Sequence, residues 1–237
     1  TREIQDVLIG EVWLCSGQSN MTLPLDSTWN PDVEAAASNY PSIRLLTVPN
    51  VASQEVQRDF KGAWTSCTPE TSLHFSAVAF YFGRYLHQVL GVPVGLINNG
   101  WGGSNVESWL PRSAVEDNPL YPDANAYTKK NEGRAVSPKA FAKFDNDVIQ
   151  YGKDIEEWNK IYTADPLTEV PRPHRPHDPR DFLTSNSRLG NLYHGVLQPI
   201  TGFGIKGVIW YQGESNVARS LEYGALFKLL IKQWRDD

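Results

Sequence analysis

Val7-Leu8-Ile9-Gly10-Glu11-Val12-Trp13-Leu14 runs directly into Cys15-Ser16-Gly17-Gln18-Ser19-Asn20-Met21. A short apolar run closed by turn-forming polar residues predicts a buried strand, here near residues 7–15. The turn at its end decides the fold. Gly17 lets the chain bend sharply without a Cβ clash, and Ser19 then lifts its hydroxyl and its own N–H above the sheet edge. Of the two serines, Ser19 rather than Ser16 has the Gly-x-Ser placement of a nucleophile. The same tripeptide occurs in ordinary turns, so its meaning depends on the rest of the chain.

Two later segments repeat the form. Val94-Gly95-Leu96-Ile97-Asn98-Asn99 leads into Gly100-Trp101-Gly102-Gly103-Ser104-Asn105, and Gly207-Val208-Ile209-Trp210-Tyr211 leads into Gln212-Gly213-Glu214-Ser215-Asn216. With a further strand near 43–48 and helices near 75–91, 138–163, 186–198 and 221–235, strands and helices alternate. That alternation predicts an α/β fold, a doubly wound and mostly parallel sheet flanked by helices. Parallel strands bring their carboxyl ends to one edge, where ligands bind. The Gly102-Gly103 pair can offer N–H groups to an oxyanion there, and Gln212 can add a side-chain donor. The helix from Phe75 is expected to bury Val78, Phe82, Leu86 and Val89, and to stop at Gly91.

Composition sets outer limits. A chain of 237 residues supports one domain burying roughly three quarters of its unfolded surface. A net charge of −5, with 27 acidic and 22 basic residues and no Lys/Arg cluster, argues against a nucleic-acid partner. No apolar stretch approaches the ~20 residues of a membrane span. The only cysteines, Cys15 and Cys67, are compatible with one bridge in an oxidising compartment or with two buried thiols.

The segments Gly10 to Met21, Phe75 to Arg84, Trp101 to Trp109 and Gly207 to Asn216 closely resemble the sialate O-acetylesterases of the SGNH-hydrolase superfamily, a flavodoxin-like fold. The resemblance implies a carboxylic ester hydrolase that removes O-acetyl groups from sugars without metal or organic cofactor. O-acetylated sialic acid is the closest substrate class, and an acetylxylan-type polysaccharide is the alternative. It implies Ser19 as nucleophile and an oxyanion hole of the Ser19 and Gly103 N–H groups with Gln212, Gly102 being the one-residue alternative to Gly103. Glu214 is implied as an orienter of the catalytic histidine, a role that elsewhere goes to an aspartate near the carboxyl terminus; Asn20 and Trp101, whose indole face can stack on a sugar ring, are the expected substrate-binding residues. Trp29 is a further cleft candidate. Family members are commonly secreted, periplasmic or lysosomal.

The family's histidine stands in an Asp-x-x-His motif well after the third block, whereas Val217 to Asp237 contain no histidine. Thr1 also opens into a strand where the family has a preceding β-rich region. The chain is therefore expected to be an SGNH-like domain incomplete at both ends, its base supplied by a missing carboxyl-terminal segment or a second polypeptide. A catalytically incomplete carbohydrate-binding fragment is the competing expectation. His194 is a distant candidate for the base.

Residues 112–184 form the expected insertion. Within it Phe141, Phe144, Val148, Tyr151, Ile155, Trp158 and Tyr162 recur at alternating spacings of three and four, predicting a helix with one apolar seam. The seam is expected to pack on the parent domain as a cap, or against a helical partner. Pro166, Pro171, Pro173, Pro176 and Pro179 then forbid regular structure. His174, His177 and Asp178 lie there, where the prolines remove the helix that would align metal ligands.

Overall fold

The computed structural model describes Glu3 and residues 5–237. Among the described residues five strands form one sheet: β1 Glu11–Gly17, β2 Tyr40–Thr47, β3 Thr65–Cys67, β4 Val94–Asn98 and β5 Gly207–Tyr211, in the order β3-β2-β4-β1-β5. β2, β4, β1 and β5 are parallel, and only β3 runs antiparallel. Register places the three motif-bearing strand ends level. Cys15 sits beside Asn98 and Gly17 beside Tyr211. The doubly wound α/β expectation therefore stands.

Helices cover both faces: α1 Ser19–Thr22, α2 Pro31–Ala36, α3 Pro69–Leu73, α4 Ala77–Leu90, α5 Arg112–Val115, α6 Pro122–Ala135, α7 Pro138–Ala164 and α8 Ser220–Asp236. Successive strand residues point to opposite faces. Leu14, Leu46 and Ile97 accordingly enter one core with Trp109, Leu192 and Leu226, while Cys15, Leu45 and Leu96 enter the other with Ile43 and Phe80. In the first core Trp109 is fully buried, with Trp210 and Trp234 edge-on at 5.9 and 6.2 Å between ring centres. Truncating such a tryptophan costs about 3–5 kcal/mol.

Several elements depart from their expected form. β1 begins at Glu11, not Val7; Val7 and Ile9 are exposed. On α4 the buried line is Ala77, Ala79, Phe80 and Gly83, and Val89 faces solvent. Small residues bring this helix down onto the sheet, since a Cβ on Gly83 would come within 2.5 Å of Leu96. The helix expected at 186–198 shrinks to a π-helical turn, Tyr193–Leu197, followed by the 3-10 turn Gln198–Ile200. A Cβ on Gly195 would lie 1.8 Å from the Val51 carbonyl oxygen, so the chain there is pressed against another segment.

The α7 seam does not cap the domain, for no residue of α7 is buried. Part of it is covered by the proline-rich return instead. Trp158 Nε1 donates to the Val170 carbonyl at 2.9 Å, and Arg172 and Arg180 lie over the rings of Trp158 and Phe141. Asp178 is held by Arg180, its hydrogen-bonding partner two residues on. Cys15 and Cys67 are both free and buried, on strands three positions apart in the sheet. That spacing is about 14 Å, beyond disulfide reach. Burial pushes their thiols up to about 12 and about 11, far from a reactive thiolate.

Candidate active site

Gly17 makes the bend that ends β1. Its φ is +142°, and a Cβ would come within 2.2 Å of the Tyr211 carbonyl oxygen, so only glycine fits between the strands here. The chain then turns through Gln18 into α1, with Met21 N–H bonding back to the Gln18 carbonyl at 2.9 Å. Ser19 is the first residue of α1, where backbone N–H groups lack intrahelical acceptors. It is exposed, whereas Ser16 is fully buried with its hydroxyl unpaired. Of the two hydroxyls, only that of Ser19 is open to a substrate.

The glycine loop lies against this serine. Trp101 N–H and Ser104 Oγ both donate to the Gly17 carbonyl, at 3.0 and 3.4 Å. A Cβ on Gly102 would touch Ser19 Cβ at 3.6 Å. Gly103 adopts the left-handed conformation, φ +76°, and faces Asn186, whose amide donates to the Gly102 carbonyl. Trp109 anchors the loop from below, its indole N–H donating to Ser104 Oγ at 3.0 Å. Trp101 is half-buried and packs on the first core. Trp29, 88% exposed, stands in solvent.

The third segment closes on the first through Gln18 and Asn20. The buried Gln18 side chain accepts from the Gly213 and Ser215 N–H groups at 3.2 and 3.4 Å, and Asn20 Nδ2 donates to Glu214 Oε1 at 2.9 Å. Gln212 reaches the glycine loop, with Nε2 donating to the Ser104 carbonyl at 3.0 Å and to Asn216 Oδ1 at 2.7 Å. Both its N–H bonds are thus engaged within the protein. Gln212 meets an oxyanion only by exchanging the Ser104 carbonyl for it.

Sequence reasoning missed the residues beneath. Asn216, Glu107 and Arg219 link the loop to the third segment: Asn216 Nδ2 donates to Glu107 Oε2 and Arg219 Nη2 to Glu107 Oε1, each at 2.7 Å. Glu107 is fully buried. An acid between the apolar residues Val106, Trp109 and Leu110 was the available signal. Asn186 left no such signal, because it meets the loop across 84 residues of chain.

No histidine bonds to Ser19 among the described residues. His74 pairs with the Asp26 carboxylate at 3.1 Å and His87 Nδ1 lies 2.7 Å from the Val92 carbonyl. His174 and His177 belong to the proline-rich return. His194 stands in the π-helical turn with its Nδ1 buried and unpartnered, and burial lowers its pKa from 6.5. The unfolded chain then takes up this proton at higher pH than the folded one. The His194 contribution is therefore intact above about pH 6.5 and declines as pH falls below it toward the folded value. Melting temperatures of wild type and His194→Gln between pH 7.5 and 5 should show the smaller acid loss in the variant; equal slopes would refute the assignment.

No family model matches the chain. It is 30% identical over 245 residues to the sialate O-acetylesterase of Mus musculus, covering 99% of this chain and 40% of the relative. The Homo sapiens sialate O-acetylesterase is 28% identical over 246 residues, covering 100% and 37%. Among solved structures, a carbohydrate acetylesterase from Xanthomonas citri superimposes with a TM-score of 0.64 at 27% identity, covering 98% of this chain and 39% of that one. The chain thus spans about two fifths of the length of the curated relatives it matches. No helix among the described residues is long and apolar enough to cross a membrane. Along its whole length the chain is thus similar to the sialate O-acetylesterases and to a carbohydrate acetylesterase of known structure.

Proposed function

We propose that this chain carries the nucleophile and oxyanion loop of a serine esterase that removes O-acetyl groups from sugars, O-acetylated sialic acid being the substrate of choice. The observation that carries this reading is the exposed Ser19 at a glycine bend, with Gly102 packed against it. Ser19 Oγ attacks the acetyl carbon, giving a tetrahedral oxyanion that collapses to an acetyl-enzyme as the sugar hydroxyl leaves. Water then releases acetate. The Ser19 N–H and the Gly102-Gly103 loop, with Gly103 N–H as principal donor, receive the oxyanion, and Gln212 joins them when its Nε2 leaves the Ser104 carbonyl. Glu214, held by Asn20, is the carboxylate available to orient a histidine. Asn20 and the half-buried Trp101 flank the acetylated sugar. We place the protein in a secreted, periplasmic or lysosomal setting on the strength of the family resemblance alone.

Labelling with a serine-directed organophosphate, followed by peptide mapping, tests the nucleophile. The adduct should fall on Ser19; an adduct on Ser16 alone would sink the reading. For the hole, Gln212→Ala should lower kcat by ~10²–10³ with little change in KM. An unchanged kcat would remove Gln212 from the mechanism.

A further inference from the structure

A carboxylate only accepts hydrogen bonds, while a carboxamide has one accepting and one donating end. Beneath the glycine loop these rules run in series. Glu107, fully buried in the turn Val106–Trp109, presents Oε2 to Asn216 and so obliges Asn216 to turn Nδ2 toward it at 2.7 Å. The other end of that amide, Oδ1, must then face the loop, where it accepts from Val106 N–H at 2.9 Å and from Gln212 Nε2 at 2.7 Å. Gln212 in turn has one choice of orientation. Its Nε2 points at Asn216 and at the Ser104 carbonyl, and its Oε1 is left buried without a partner. An unpaired buried acceptor is uncommon in folded proteins. Here it is the end of a chain of dictated orientations.

Arg219 pairs with the other oxygen of the buried Glu107 carboxylate. Its side chain is 10% exposed, donates to Oε1 at 2.7 Å, and lies over the Tyr127 ring at 4.1 Å, so α6 closes the network. We propose that Glu107 is a positioning residue: through Asn216 it fixes the Gln212 carboxamide so that one Nε2 hydrogen stays on Asn216 while the other exchanges between the Ser104 carbonyl and the oxyanion. This role rests on the esterase reading of Ser19. Hydrogen bonds in series polarise one another, so the negative charge on Glu107 also reaches Gln212 through the Asn216 amide.

The test uses the full-length protein, p-nitrophenyl acetate, and rates expressed per Ser19 titrated with organophosphate. Glu107→Gln should lower kcat per titrated site by about tenfold to a hundredfold, with KM within about twofold of wild type. Asn216→Asp should do the same, because two carboxylates then face each other. The combined Glu107→Gln/Asn216→Asp protein restores a donor opposite an acceptor with the roles exchanged and the net charge unchanged. Its kcat per site should return to within about threefold of wild type. A merely structural staple would change the number of titratable sites and the melting temperature, but not turnover per site. An unchanged kcat per site in Glu107→Gln, or losses that add in the double variant, would overturn the proposal. If Glu107→Gln yields no titratable sites, a double variant no faster than Asn216→Asp has the same consequence. Failure of the wild-type protein to label at Ser19 would instead defeat the esterase reading, and the positioning role with it.

Discussion

Replacing Ser19 with alanine in the full-length protein is expected to lower kcat for acetate release by about 10⁶-fold, the scale of losing a nucleophilic serine. The fold should not notice. Ser19 is exposed and its hydroxyl makes no hydrogen bond among the described residues, so the melting temperature should shift by no more than a surface change of about 0.5 kcal/mol implies. Ser16→Ala is the matched control. Its hydroxyl is buried and unpaired, so its removal should leave turnover intact and stability equal or slightly higher. Acetate release and thermal melting of the two variants decide the matter. A Ser19→Ala protein that kept even a hundredth of wild-type turnover would leave another residue as the nucleophile.

The second large effect concerns a chain limited to these 237 residues. A serine hydroxyl is a poor nucleophile without a positioned proton acceptor, and a triad lacking one member keeps only about 10³–10⁴ over water from its oxyanion hole and binding. None of the five histidines bonds to Ser19 among the described residues: His74 and His87 are engaged elsewhere, His174 and His177 run beside α7, and His194 occupies its own buried turn. The purified chain, its mass confirmed, should therefore turn over p-nitrophenyl acetate several orders of magnitude more slowly than a form extended by the family's Asp-x-x-His segment. Comparable rates would show that one of these histidines moves onto Ser19. Substituting each in turn, beginning with His194, would identify it.

The strand-and-turn skeleton was legible because each parallel strand is a short apolar run punctuated by glycine: β4 and β5 fall within a residue of their expected limits, as does α7. β3 escaped notice because three residues pairing antiparallel at an edge leave no periodic trace. α6 escaped because its sequence is polar and its burial rests on Ala124, Asn125, Thr128 and Ala135. In the site, local motifs located Ser19 and the glycine loop, because each lies at a strand end marked by glycine. The Glu107 to Asn216 bond spans 109 residues and the Asn20 to Glu214 bond 194. Such pairings are products of the sheet order, and local pattern carries no record of which distant side chain supplies the partner.

The 27 residues of α7 form a rod about 40 Å long with no buried residue, started by Ser137 and Pro138 and steadied by the proline-rich return. Tertiary burial supplies most of a helix's resistance to opening, and this one has little. Its amide protons should therefore exchange with solvent deuterium through local fraying, long before those of β1 and β4 beneath the loop. The molecule then has two clocks. The rod is expected to open and close on its own, while β1 and β4 should exchange only on far larger openings of the domain.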